Sequence, residues 1–333
     1  MGNYEFKNSN NKNYNNQLKN IKEAKIEIII ELEIKISHEL IEKEINILCD
    51  KNQLIRDKIR NENLFKENNL NPPKIFDYFN KENSKLYLND NEIKFNYKLK
   101  FNKIGFYKIN IKSNLKLNSL SSMFYNCNNI DKINFIKINT NNVTDMSFMF
   151  YHCDNLSDLN LAKFNTNKVT DMSWMFYYCE NLAELNLTSF KTNNVTNISW
   201  MFSNCRMLSE IDFSLFNTNN VTNMSYIFSN CSGLNKLDLT SFNTNNVTNM
   251  SYMFSYCKNL TKLDLSSFNT NNVINMKSMF SDCYKLFELD LSSFHINNVI
   301  EIKDIFYDNL NVLINKINNI KIKKKIRLTK IKY

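Results

Sequence analysis

Seven cysteines stand at Cys127, Cys153, Cys179, Cys205, Cys231, Cys257 and Cys283, six equal intervals of 26 residues with no insertion or deletion. A single globular core imposes no such spacing. A chain that keeps it must build one supersecondary unit repeatedly and stack the copies. A phenylalanine precedes each cysteine by three residues, at Phe124, Phe150, Phe176, Phe202, Phe228, Phe254 and Phe280. The series runs once more at Phe306, where the cysteine position has become Asn309. Eight rungs are expected, the last degenerate.

The units open on an L-x-x-L-x-L pattern, as at Leu156, Leu159, Leu161 and at Leu234, Leu237, Leu239, which drifts in the first rung to Ile130, Ile133 and Phe135. Leucines at that spacing turn inward on a short strand while the residues between them face out. From Val247 to Cys257 the apolar positions suit a second short extended piece followed by one helical turn. Such a rung cannot bury its own apolar face, so neighbours must stack roughly 4.8 Å apart, with identical residues in columns. The phenylalanines at Phe164, Phe190, Phe216, Phe242, Phe268 and Phe294 close the corner after the strand.

The unit L-D-L-S-S-F-N-T-N-N-V-T-N-M-S-Y-M-F-S-x-C resembles the leucine-rich surface-protein repeat of the BspA type, also called DUF285, known in bacteria and protists. The likeness covers about residues 118 to 310 and is strongest from Leu234 to Phe294, while the end rungs drift. The resemblance implies a solenoid scaffold for adhesion or protein interaction, with no catalytic residues to carry over.

The expected fold is therefore a leucine-rich-repeat-type, β-rich repeat solenoid of eight 26-residue rungs with a small N-terminal α+β capping domain. Residues 1–20 read as a disordered polar N-terminus, 21–115 as the cap, 116–310 as the solenoid and 311–333 as a basic C-terminal cap or tail. The cap region alternates apolar and charged residues from Lys25 to Ile36. Further strands are expected near Glu44–Leu48, Lys85–Leu88, Glu92–Phe101 and Phe106–Ile111, a hairpin turn at Asn89–Asn91, and short helices at Asn61–Asn68 and Pro73–Asn80.

Net charge excludes less than it first suggests. Of the overall +9, the segment after Asp308 carries Lys316, Lys321, Lys323, Lys324, Lys325, Arg327, Lys330 and Lys332 and no acid, so the body is nearly neutral. Nucleic acid is an unexpected partner for that body. The tail is either an edge strand guarded by lysines or an arm making weak contact with an anionic surface. With three glycines in the chain, a glycine-rich phosphate loop is not available. No apolar run is long enough to span a bilayer and no classical secretion signal is read. Cytoplasmic location is expected, the cell surface by a non-classical route being the alternative.

No cofactor, metal or catalytic site is expected. The cysteines lack histidines at ligand spacing, and His38, His152 and His295 lie far apart. Buried thiols acting as small apolar groups are the simpler reading, and unpaired thiols suit a reducing compartment. The N-x-T sequons, among them Asn194-Val195-Thr196, recur because the unit recurs. Two sets of residues are candidates for partner binding. One is an aromatic column, Phe148, Trp174, Trp200, Tyr226 and Tyr252, widened by Tyr177 and Tyr178, which should face at least partly outward. The other is the outward strand column Asp212, Asp238, Asp264 and Asp290. The function read from the sequence is a monomeric, non-enzymatic scaffold using the lateral surfaces of the solenoid for a protein partner. Alternatives are a surface adhesin for host proteins or glycans, and polyanion or membrane-surface binding through the tail.

Overall fold

The computed structural model describes residues 26–67, 71–74 and 79–307. The expectations for residues 1–20, for the basic tail and for much of the Pro73–Asn80 helix lie outside the described residues. The described part is mostly sheet and turn with few helices.

Strand β1, Ile28–Ile36, reads IIIELEIKI and buries Ile30, Leu32 and Ile34 completely while its charged residues face away. That alternation is what a strand covered on one face requires. On one side β1 pairs antiparallel with β6, Gly105–Ser113; on the other it pairs antiparallel with β7, Lys132–Lys137, placing Leu32 opposite both Ile109 and Ile133. Strands β3 (Ser84–Leu88) and β4 (Asn91–Ile93) extend the sheet beyond β6, and β8 (Asp158–Asn160) pairs parallel with β7, giving the order β4-β3-β6-β1-β7-β8. The first repeat is thus continuous with the sheet of the N-terminal region. Asn89 and Asp90 both take positive φ, 46° and 65°, the geometry of a tight hairpin turn joining β3 to β4.

Helix α1, Lys51–Arg60, was not expected from a segment with so many charges. It is nucleated by Asp50, whose carboxylate accepts from Asn52 N at 2.9 Å and Gln53 N at 3.4 Å, and it buries only Leu54. Helix α2, Glu62–Glu67, follows and turns Phe65 inward. Strands β2 (Ile45–Asn46) and β5 (Lys98–Leu99) form a short antiparallel pair. At the end of β2 and just after it, the chain meets the edge of the first repeat: Asn46 Nδ2 donates to Asn126 O at 3.1 Å and Cys49 N to Met123 O at 3.0 Å.

Successive units then stack in parallel. Single bridges join Ser119, Asp145, Asp171, Asn197, Asn223, Asn249, Asn275 and Glu301 in order, each 26 residues from the next. Past each bridge the backbone follows one rule. The N–H groups of Met172, Trp174, Phe176 and Tyr178 donate to Asn197, Ser199, Met201 and Ser203 of the next unit, while those of Met175, Tyr177 and Cys179 close turns within their own unit. This alternation satisfies donors that an irregular turn would otherwise leave unpaired in the interior. It needs left-handed backbone twice per unit, as at Trp174 (φ 61°) and Tyr178 (φ 60°), on residues that are not glycine. Such φ values are costly for bulky side chains and persist only where neighbours over-determine them. The segment is a series of hydrogen-bonded turns, not the regular helical turn expected.

Side chains repeat the same economy. Thr166 Oγ1 donates to Lys191 O at 2.9 Å and accepts from Lys191 N at 2.7 Å, and the column runs from Thr140 to Thr270. Asparagine and aspartate oxygens support turns two residues on, as Asn197 does for Ser199 N and Asn243 for Asn245 N. Sequon asparagines tie units together: the amide of Asn220 donates to Asn193 O at 2.6 Å and that of Asn246 to Asn219 O at 2.7 Å. The abundance of asparagine has a structural use.

The cysteine column is fully buried and contains no disulfide. From Cys153 onward each thiol does more than fill space, donating to a phenylalanine carbonyl one unit back, as Cys205 Sγ does to Phe176 O at 3.1 Å and Cys231 Sγ to Phe202 O at 2.9 Å. The core phenylalanines stack beside it, with Phe150, Phe176 and Phe202 at centroid spacings of 5.6 Å.

The expected strand in every unit is found only toward the two ends, in β7 and β8 and again in β9 (Lys262–Asp264) and β10 (Glu288–Asp290), which pair parallel. Residues 182–187, 208–213 and 234–239 form no backbone bonds to one another on this side. At both paired junctions a lysine faces an acid across the strands, Lys132 to Asp158 at 2.9 Å and Lys262 to Glu288 at 2.7 Å. The unpaired stretch opens where Asp158, Glu184 and Glu210 succeed one another. Like charges at strand spacing repel by about 1 kcal/mol or more, which matches the roughly 0.5–1.5 kcal/mol that a backbone bond returns.

Candidate functional site

The turn that follows each bridge directs one residue per unit into a ladder along a lateral face. Phe148 and Trp174 stack at 5.6 Å, Trp174 and Trp200 at 4.3 Å, Trp200 and Tyr226 at 3.6 Å, and Tyr226 and Tyr252 at 4.4 Å, with planes within 11° of parallel. A second file lies against it: Tyr125, Tyr151 and Tyr177 stack at 4.6 and 5.0 Å, and Tyr177 meets Trp174 edge-on at 4.6 Å. His152 and Tyr178 stack at 4.4 Å beside that file. At the far end Lys277 Nζ lies 5.8 Å from the Tyr252 ring. Offset and edge-on contacts of this kind add about 0.5–1.5 kcal/mol each beyond area burial.

The expectation that the whole column faces outward is corrected at its head. Phe148 is 1 % and Trp174 2 % exposed, whereas Trp200, Tyr226 and Tyr252 are half-buried. The cause is α2, which lays Phe65 edge-on against both rings, 6.1 Å from Phe148 and 6.3 Å from Trp174. Lys74 reinforces the cover by pairing with Asp145 at 2.6 Å, and the Tyr125 hydroxyl donates to Asp57 of α1 at 3.3 Å. Neither Phe65 nor Lys74 was singled out from the sequence. The one available signal was a lone aromatic in the polar run Glu62–Glu67.

Burial shapes the electrostatics of this face. Desolvation raises the phenols of Tyr177 and Tyr226 above the ordinary tyrosine range, so both stay neutral hydrogen-bonding groups at any physiological pH. Desolvation also raises Asp171, against the hydrogen bonds it receives from Ser173. The indole N–H groups of Trp174 and Trp200 are buried with no acceptor. An unmatched buried donor costs about 1–3 kcal/mol, which stacking must offset.

The aspartate column stands apart. Asp212 accepts from Ser214 N at 2.8 Å, Asp238 from Thr240 N at 2.9 Å, Asp264 from Ser266 N at 2.9 Å and Asp290 from Ser292 N at 2.8 Å. The Ser214 side chain and backbone hold Asp212, and the backbone and side chains of Thr240 and Ser266 hold Asp238 and Asp264, below the usual carboxylate range, so each is a charged turn support. None of those three touches the aromatic ladder through a hydrogen bond, ion pair or ring contact. Among the described residues no group of three or more His, Cys, Asp or Glu side chains is placed to hold a metal ion, and no helix is long and apolar enough to cross a membrane.

These features define a class: a β-rich repeat protein whose 26-residue units stack in parallel register, with its N-terminal region laid over the head of an aromatic lateral face. The chain belongs to the family described as Mycoplasma protein of unknown function, DUF285, whose model matches residues 118–236 and again 208–320. No curated protein and no solved structure matches the chain.

Proposed function

We propose that this chain is a non-enzymatic protein-interaction scaffold: an eight-rung solenoid of the leucine-rich type, capped by residues 21–115, that receives its partner on the ladder Trp200, Tyr226 and Tyr252. The observation that carries the reading is the use the chain makes of the same ladder internally. Phe65 on a short helix seats edge-on against two successive rings, and the next three rings present equivalent edges that remain half-open. A partner segment bearing an aromatic residue on a helix fits them on the same terms, and Trp and Tyr are the residues that dominate interface hot spots. Catalysis is not part of this reading.

The chain has two tryptophans, so Trp174→Phe leaves Trp200 as the sole reporter. Titrating that variant with a peptide spanning residues 60–74 should give a saturable blue shift of Trp200 emission, abolished by Tyr226→Ala. A linear, non-saturating response, or an unchanged response in Tyr226→Ala, would reject the ladder as the receiving surface.

A further inference from the structure

One outward column on the strand side runs Lys132, Asp158, Glu184, Glu210, Lys236, Lys262, Glu288. Register places Lys132 opposite Asp158 and Lys262 opposite Glu288, and these two junctions are the ones that zip into strands. Between them the neighbours are acid beside acid (Asp158 and Glu184, then Glu184 and Glu210) and lysine beside lysine (Lys236 and Lys262). Only Glu210 and Lys236 are complementary, and repelling junctions flank them on both sides. No junction from Asp158 to Lys262 pairs on this side. The opposite side of the stack is hydrogen-bonded at every one of these junctions, through Met172 to Asn197, Ile198 to Asn223, Met224 to Asn249 and Met250 to Asn275. The middle units are therefore bonded in a regular ladder along one edge, while along the other the strand segments stay unpaired and only their borders bond across, as Asn181 N does to Asp154 O at 3.2 Å and Met207 N to Glu180 O at 3.1 Å. Leu237 on the unpaired side is half-buried, but Leu185 and Ile211 there are 8 % exposed, close to the 9 % of Leu159 on paired β8, so the interior stays covered where the strands do not pair.

We propose that this column is an electrostatic zipper: the order of its charges decides which junctions close on the strand side, and the middle of the stack closes when its like charges are screened or neutralised. Exposed charges at strand spacing interact strongly in dilute salt and weakly once the screening length falls to about 3 Å near 1 M salt. The strand side of residues 182–239 is thus a conformational device responsive to ionic surroundings, while the first junction, held by Lys132 and Asp158, responds in the reverse sense; at the last, the attraction of Lys262 for Glu288 outweighs the facing of Asp264 and Asp290.

A steric cause competes with this one. Phe213 occupies an inward position that is Phe135 in the first unit, whose strand pairs, and Leu161, Leu187, Leu239, Leu265 or Leu291 in the others, and it packs edge-on against Phe216 at 5.3 Å and Phe242 at 5.2 Å. Amide hydrogen exchange on the full chain separates the two. Glu184→Lys faces an acid on each side, and it should slow exchange at residues 158–160, 184–186 and 210–212 by at least about tenfold in dilute salt. Lys236→Glu should move the opening, slowing exchange at 236–238 and 262–264 while 210–212 stays fast. For the unmodified chain, 1 M sodium chloride should slow exchange across 184–212 and quicken it at 132–134, with little change at 288–290, where Asp264 facing Asp290 offsets the Lys262–Glu288 pair. Closure of the middle by Phe213→Leu with no effect of Glu184→Lys would overturn the proposal, and so would exchange at 184–212 indifferent both to charge reversal and to salt.

Discussion

At the residue scale the seven buried thiols couple the fold to alkaline pH. Burial is the first cause of their raised values, which reach about 12 at Cys283 and lie well above the ordinary thiol range for the other six. The folded chain therefore holds these protons more tightly than the unfolded chain, in which a thiol titrates near 8.5. The stability they contribute is complete below about pH 8.5 and falls as pH rises toward the folded values. Each thiol removes about 1.4 kcal/mol per pH unit in that window, so seven acting together remove about 10 kcal/mol per unit. Domains have about 5–15 kcal/mol to lose. Circular dichroism against pH should show steep unfolding near pH 10 with uptake of several hydroxide equivalents. A shallow, single-proton transition would contradict it.

At the scale of elements, α2 is a clasp whose hold rests on Phe65. Phe65→Ala should lower stability by about 3 kcal/mol, in the range for losing a buried phenylalanine. It should also shift Trp174 emission to the red as water reaches the first two rings. An unchanged emission maximum would mean that other groups cover Trp174. How much of this was legible varies with the element. The repeat, its cysteine and phenylalanine columns and strand β1 could be read directly, because period 26 and the alternation of Ile with Glu are properties of the residues themselves. Helix α1 could not be read from its apolar pattern, since Leu54 is its one buried residue. The outward aim of Phe148 and Trp174 was misjudged for a related reason: their cover comes from Phe65, more than 80 positions away, and no local pattern encodes a contact of that range. Strand content in the middle units was over-read, because the leucine spacing carries no information about which charges become neighbours across a junction.

At the scale of the whole molecule, each unit bonds only to the units beside it, apart from the first few, which also meet the N-terminal region. A chain lacking residues 234–259 joins Gly233 to Leu260 in the register every other junction uses. It should fold, with a denaturant slope reduced in proportion to the surface lost. The same excision sets Glu210 beside Lys262, so the shortened chain should gain a paired strand at that junction, read as slowed exchange at 210–212. Failure to fold cooperatively would show that the stack depends on contacts longer than nearest-neighbour ones.

The alternating turn bonds also give the stack a direction. At the junction from Trp174 to Ser199, four backbone donors point toward the later unit, while two, Thr196 N and Met207 N, point back to Thr170 O and Glu180 O. Summed over junctions, aligned peptide groups amount to a dipole along the axis, with partial negative charge at the Met123 end and partial positive charge at the Phe306 end, as in a helix viewed from its C-terminus to its N-terminus. The side chains answer it in part, since Asp145 and Asp171 also set acids near the negative end in the column that is asparagine from Asn197 to Asn275. At the negative end Lys74 sits on Asp145 and the N–H of Cys49 meets Met123 O. At the positive end the chain places Glu301 and Asp304 at positions that are Asn275 and Ser278 one unit earlier.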